Sequence, residues 1–337
     1  MRPPHDGASR QPPPLRSSLT CGDRATRRRR SRCDARFGGH LMTVLVSLPP
    51  VESGRAGLDA ARLFAAAAGE PLVVCTVIPE PWNYPSSARV DAEYDQWRRT
   101  QADRALADAR EMLGDSVEAT FVTRRARSVP AGLLDAVAEH GASTLVVGSS
   151  SGGPFGRVVL GSTSDRLLHS SPVPLLLAPR GFTAGSFDRA TRLTCAFAGT
   201  PEARDVLAAT AALAGRLGVP MRVASFLVGR HETPTAGVGL RAEATVLTQW
   251  HEQVVAAQRE ALASLPDVPA GVEPSVVSGR TWGDAVETLG WTEGDVLALG
   301  SSAVGMVTRV FLGSRANKIV RRSPVPTMIL PRPTDAG

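Results

Sequence analysis

The sequence predicts an α/β protein made of two tandem, doubly wound, five-stranded parallel-sheet domains. Three observations carry that prediction. The first is an internal repeat, the feature to seek before any other in a chain of this length. Leu145-Val146-Val147-Gly148-Ser149-Ser150-Ser151 returns as Leu297-Ala298-Leu299-Gly300-Ser301-Ser302-Ala303, and Ser171-Pro172-Val173-Pro174 returns as Ser323-Pro324-Val325-Pro326. Gly148, Arg157, Gly161 and Pro172 map onto Gly300, Arg309, Gly313 and Pro324 at an offset of 152, while Gly69 and Pro71 map onto Gly218 and Pro220 at 149. The second is a set of short Val/Leu-rich runs without polar alternation, as strands covered on both faces should have. The third is the helix-favouring stretches between those runs, which imply βαβ units and a parallel sheet.

In the first copy the strand-like runs fall at 43–48, 72–78, 117–122, 143–148 and 173–178. Between them, 54–69, 90–113, 129–141 and 161–170 carry apolar positions three and four apart, for example Leu58, Ala61, Ala65 and Ala68. The second copy repeats the order, with strands near 192–198, 221–228, 273–277, 295–299 and 325–330. The organisation expected is a tail at 1–41, a first domain at 42–180, a Gly/Ser/Thr linker at 181–190 and a second domain at 191–333.

Both closing strands open on Pro-Val-Pro, where a missing N–H is tolerated at a sheet edge. An apolar edge left open would template aggregation. Pairing the two fifth strands across a pseudo-two-fold axis covers both and makes the chain an internal dimer. The other reading is an ordinary edge blunted by proline. Whether whole chains then associate further, or meet another protein, stays open.

Charge is distributed unevenly. The 337 residues carry a formal +6 and a pI near 9.8. Residues 1–41 hold ten arginines, five prolines and three aspartates, and the remaining 296 residues carry 28 basic and 29 acidic groups. The repeat region is thus near neutral, which argues against a nucleic-acid-binding surface. The tail has too little apolar content to offset ordering entropy, so disorder is expected. It lacks the apolar core of a secretory signal, and Met42, just before the first strand, is expected to be the true start. An electrostatic arm is the alternative.

No run reaches the ~18 apolar residues of a membrane span. Cys21, Cys33, Cys75 and Cys195 show no metal or redox spacing, so a reducing, cytoplasmic setting is expected. The histidines are scattered, and Val255 stands four places after His251, so no metal ligand set is argued.

Ligands of open α/β sheets bind beyond the carboxyl ends of the strands, where the strand order reverses. The loop Gly148-Ser149-Ser150-Ser151-Gly152-Gly153-Pro154 occupies such an end in the first copy. Gly161-Ser162-Thr163 then opens a helix. Glycine lets backbone approach a ligand closely, and a helix start offers N–H groups to phosphate. A flexible turn with an ordinary cap is the competing reading. Gly148 to Gly152 also fits G-x-S-x-G, with Ser150 as nucleophile and Asp165, Asp188, His169 or His231 as partners. That elbow needs a helix directly after the turn, and Gly153-Pro154 intervene. Gly237-Val238-Gly239 lies too far past its strand for a dinucleotide turn.

The order of elements, the loop and the closing strand resemble the universal stress protein family, specifically its tandem two-domain members. The resemblance covers residues 42–333 and implies an adenine-nucleotide α-hydrolase-like fold with a stress-response regulatory role. ATP-binding members carry Gly-x-x-Gly, nine residues, then Gly followed by Ser or Thr. Gly148 is the first position here, Ser151 stands at the second, and Gly161-Ser162 follow. The second copy keeps Gly300 and Gly313-Ser314 but has Ala303 at the second. The family's strand-end Asp is replaced by Pro49 and by Ala198, and Val77 and Phe226 fall where the base is laid. The resemblance therefore implies that ATP or a related adenine nucleotide sits in the first domain, on Val77, Gly148, Ser149, Ser151, Gly152, Gly161, Ser162 and Thr163. Gly300, Gly313 and Ser314 form a degenerate second site, with Arg157 and Arg309 as candidate phosphate partners. No catalytic residue is expected. Lys318 is the single lysine, so no Walker-type lysine exists and any ATP hydrolysis is slow and incidental. A nucleotide-free interaction scaffold is the alternative.

Overall fold

The computed structural model describes residues 42–50, 54–80, 90–228, 240–269, 271–301 and 313–331. These form eighteen elements in strict alternation until the repeat boundary. The first copy runs β1 (Thr43–Ser47), α1 (Arg55–Ala68), β2 (Leu72–Pro79), α2 (Val90–Leu113), β3 (Ala119–Ala126), α3 (Val129–Glu139), β4 (Ala142–Gly148), α4 (Ser162–Leu168) and β5 (Leu175–Ala178). The second runs β6 (Arg192–Ala196), α5 (Pro201–Leu217), β7 (Met221–Val228), α6 (Leu240–Ala263), β8 (Glu273–Gly279), α7 (Trp282–Glu287), β9 (Asp295–Gly300), α8 (Ser314–Val320) and β10 (Thr327–Leu330).

All ten strands lie in one sheet, in the order β3-β2-β1-β4-β5-β10-β9-β6-β7-β8. Every pairing is parallel except the central one, β5 with β10, which is antiparallel with Leu176 opposite Met328. The two fifth strands therefore cover each other, and the chain is its own pseudo-two-fold dimer. Side chains alternate across the sheet. Val44, Val46 and Val74 join the core under α1 and α5, whereas Leu45, Val73 and Cys75 join the opposite core. Leu58, Leu63 and Phe64 of α1 are at most 1% exposed, each contributing roughly 1.5–3 kcal/mol by burial.

Repeated residues do repeated work. Gly69 and Gly218 end α1 and α5 with φ of 65° and 63°, the left-handed conformation that costs glycine least. Ser171 donates to the Val173 carbonyl at 2.7 Å and accepts from the Val173 N–H at 3.3 Å, and Ser323 does the same with Val325 at 2.9 and 3.3 Å. These serine turns hold Pro-Val-Pro outside the ladder, so β5 and β10 begin after the second proline rather than at 173 and 325. The third strand also departs from expectation, running 119–126 instead of 117–122. Its polar stretch Thr123-Arg124-Arg125 pairs with Val77 to Ile78 and their neighbour along an edge, where one face meets water.

The segment joining the copies packs onto α1. Ala190 N–H donates to the Leu63 carbonyl at 2.9 Å, and Arg62 donates to the Phe187 carbonyl at 3.2 Å. Among the described residues, no helix is long and apolar enough to cross a membrane.

Candidate functional site

The strand order reverses between β1 and β4 in the first copy and between β6 and β9 in the second. The segments after those strands lead to helices on opposite faces of the sheet, α1 and α5 on one and α4 and α8 on the other, an arrangement that opens a crevice beyond Ser47 and Gly148, and another beyond Ala196 and Gly300.

In the first copy the glycine-rich loop is tacked down by its own side chains. The Ser149 hydroxyl donates to the Ala178 carbonyl at 2.6 Å and accepts from the Val159 N–H at 2.9 Å. Ser150 N–H donates to the Val159 carbonyl at 3.0 Å. The Arg180 guanidinium donates to the Gly153 carbonyl and lies 4.2 Å from the Phe155 ring centroid. Gly156 N–H reaches the Arg180 carbonyl, and Arg180 N–H the Arg157 carbonyl, both at 2.9 Å. Loop and strand end are thereby laced together. Ser151 and Gly152 are exposed on this loop.

Gly161 precedes α4 with an extended backbone, φ −99° and ψ 177°. Its N–H donates to the Ser164 hydroxyl at 2.8 Å, so that donor is already satisfied within the cap. Ser162 is exposed and Thr163 half-buried in the first turn. Val77 is buried on β2, and its methyl lies 2.7 Å from where a Cβ on Gly132 of α3 would stand. The structure thus gathers Gly148, Ser149, Ser151, Gly152, Gly161, Ser162 and Thr163 around one loop. Val77 packs against Gly132 of α3.

The second copy has a crevice of its own at the strand ends. A cleft of about 930 Å³ lies over the carboxyl ends of β6, β7 and β9. Gly300 and Gly313 line it, with Phe226, Trp250, Trp282 and Arg315 among the other walls. Ser314 is exposed at the start of α8. Ala198, at the family's Asp position, lines the same cleft, so no carboxylate stands at that point. Residues 302–312, which include Ala303 and Arg309, lie outside the described residues, as do His231 and Gly237 to Gly239.

Several of these residues carried no flag in the sequence. Trp250, Val254 and Ala257 all line the cleft from α6, and their spacing of four and three marks one helix face. Thr200 caps α5 by accepting from Ala203 N–H at 3.3 Å while also facing the cleft. Ser301 is buried beside Gly300.

Burial pushes the Cys75 thiol up to about 11 and Cys195 up to about 12, so both stay protonated at neutral pH. No group of three or more His, Cys, Asp or Glu side chains converges among the described residues. Ser150 is followed by eleven residues before α4 begins, not by the immediate helix a nucleophile elbow requires.

Comparison with known proteins places the chain. Residues 41–179 and 190–331 each match the Universal stress protein family. A universal stress protein of Mycobacterium tuberculosis is 42% identical over 296 residues, 86% of this chain and 100% of the relative. Its counterpart from Mycobacterium bovis shows the same figures. The crystal structure of a universal stress protein from Archaeoglobus fulgidus shares the fold with a TM-score of 0.53 at 19% identity, covering 86% of this chain and 98% of that one. The architecture is that of the adenine-nucleotide α-hydrolase-like class, and the coarse role that follows is in the stress response. The chain belongs to the universal stress protein family, as a tandem two-domain member.

Proposed function

We propose that this protein is a stress-response regulator that holds an adenine nucleotide at the carboxyl ends of its strands, and that the second-domain cleft is the principal seat. The observation that carries this reading is the cleft itself. Its volume of about 930 Å³ falls within the ~300–1,000 Å³ of small-molecule sites. Phe226, Trp250 and Trp282 offer aromatic surface for a base, and Arg315 offers a cation for phosphate. Gly300 and Gly313 also line the cleft.

Sequence reasoning favours the first domain, on the strength of Gly148, Ser151, Gly152 and Gly161. Geometry supports the second. The first-domain loop spends the Ser149 hydroxyl and the Gly161 N–H on its own structure, and in the second domain Ala198 and Phe226 line the cleft.

Titration of the full chain with ATP and AMP tests the reading. Ala198→Trp, which fills the cleft, should weaken binding by about tenfold or more, and Phe226→Ala should weaken it less. Gly161→Val should leave the affinity near wild type. Loss of binding in Gly161→Val with retention in Ala198→Trp would assign the nucleotide to the first domain. No saturable binding by the wild type would leave the interaction scaffold. One observation favours that second reading: Tyr94 and Trp97 stack at 5.6 Å on the outer face of α2, 56% and 55% exposed.

A further inference from the structure

A second cleft, of about 570 Å³, opens where the first-domain glycine loop faces the end of α8 in the second domain. Gly152, Gly153 and Pro154 form one wall, and Lys318, Arg321 and Arg322 the other, with Trp282 between them. Lys318 Nζ lies 6.0 Å from the Trp282 ring centroid. Arg321 donates to the Asn317 side chain at 2.8 Å. No carboxylate among the described residues pairs with Lys318, Arg321 or Arg322. Three cations thus gather around one cavity without counter-charge, and their mutual repulsion falls when an anion enters.

The end of a helix favours cations on its own, but that does not account for the number here. At the offset of 152, the first copy has Arg166, His169 and Ser170 where the second has Lys318, Arg321 and Arg322. Both positions end a helix of seven residues. The copy that faces the glycine loop is the one that carries the three fixed charges. Across the cleft, a Cβ on Gly152 would meet nothing within 4 Å, so the space beside that glycine is open. At the rim the Arg157 guanidinium pairs with Glu287 of α7, tying loop to helix and occupying that acid.

We propose that this interdomain cleft binds a phosphorylated small molecule, its phosphates on Lys318, Arg321 and Arg322 and on the Gly152 backbone, its organic part against Trp282. The site is distinct from the nucleotide seat proposed above, although Trp282 lines both openings. The phosphate-binding chemistry read into the glycine loop then finds its cations across the domain junction, not within its own domain.

Lys318 is the single lysine, so its acylation reports on the cleft alone. The full chain would be treated with a limiting amine-reactive acetylating reagent across a titration of inorganic pyrophosphate, and Lys318 modification read by mass spectrometry. An added lysine-containing peptide serves as the reagent standard. Pyrophosphate should protect Lys318 saturably, with half-protection at or below about 1 mM. In the Arg321→Gln, Arg322→Gln double variant the half-protection concentration should rise about tenfold or more. Arg166→Gln should leave it unchanged. Both variants change exposed residues, and the arginine-rich residues 1–41 are common to every chain, so their anion binding cancels. Absence of protection in a folded wild-type chain would overturn the proposal, as would equal protection in the double variant. Pyrophosphate carries no base, so failure here is separable from failure of the adenine-nucleotide reading.

Discussion

Gly300 at the end of β9 packs against Val206 of α5 so closely that a Cβ on Gly300 would overlap the Val206 Cγ2 methyl. In the first copy the same helix-to-strand contact is made by Gly57 and Gly148, where a Cβ on Gly57 would stand 3.1 Å from the Gly148 nitrogen. One copy fills the space with a valine against glycine, and the other closes it backbone to backbone. Gly300→Ala should therefore destabilise the protein by about 1–3 kcal/mol through overpacking, and adding Val206→Ala should recover part of that loss. Chemical denaturation of the two variants and their double mutant checks it. Full stability in Gly300→Ala alone would show that the contact yields.

The sheet of the second copy is pinned at its other end by charge. Arg192 grips Asp295 with two bonds of 3.0 and 2.7 Å, while Arg222 bonds the Leu289 carbonyl at 2.7 Å and lies 3.8 Å from Asp295. Asp295 is 1% exposed and Arg222 is 5% exposed. Burial lowers the affinity of Arg222 for its proton, and the Arg192 charge adds to that. Asp295→Ala strands both arginines and should cost about 3–5 kcal/mol. Thermal unfolding of that variant would show a large drop. A loss of under about 1 kcal/mol would mean that the pair only offsets its own desolvation.

Acid should loosen the α2–β3 contact. Hydrogen bonds from Arg125, and then Arg99, hold the Asp95 carboxyl down at about 2. A depressed acid stabilises the fold above its unfolded pKa of about 3.9, and that contribution drains away as pH falls from there toward about 2. Asp95→Asn should flatten the stability profile in that window and leave the profile above pH 5 parallel to wild type. An unchanged acid limb would remove Asp95 from the account.

Thiol chemistry gives an independent reading of burial. With Cys21 and Cys33 replaced by serine, Cys75 and Cys195 should resist maleimide at pH 8 in the native protein and react fully in denaturant. Their raised pKa favours the neutral thiol in the fold, so stability should decline as pH rises above the unfolded thiol value of about 8.5. Rapid native labelling would show that the sheet opens around β2 or β6.

Much of this architecture was legible in the repeat. Gly69 and Gly218 announced two helix ends, and the paired Pro-Val-Pro motifs announced two edges that had to be covered. The strands that misled were those whose surroundings differ from the rest. β3 hides behind Thr123-Arg124-Arg125 because it is an edge, and edges need no apolar run. The site was less legible, for a physical reason. Glycines at 148, 152 and 161 advertise backbone freedom, yet nothing in a motif reveals that Ser149 and Ser164 consume the nearby donors and acceptors. Trp282 gave no motif at all, because its position between two openings arises only when α7 meets α8 and the first-copy loop.

Photolabelling tests the central claim most directly. The full chain would be irradiated with 8-azido-ATP, with and without excess ATP, and the modified peptide mapped by mass spectrometry. The account predicts ATP-protected labelling on segments bearing Phe226, Trp250 or Trp282. Protected labelling confined to the segments bearing Val77, Gly148 or Gly161 would contradict it, and so would the absence of any protected label.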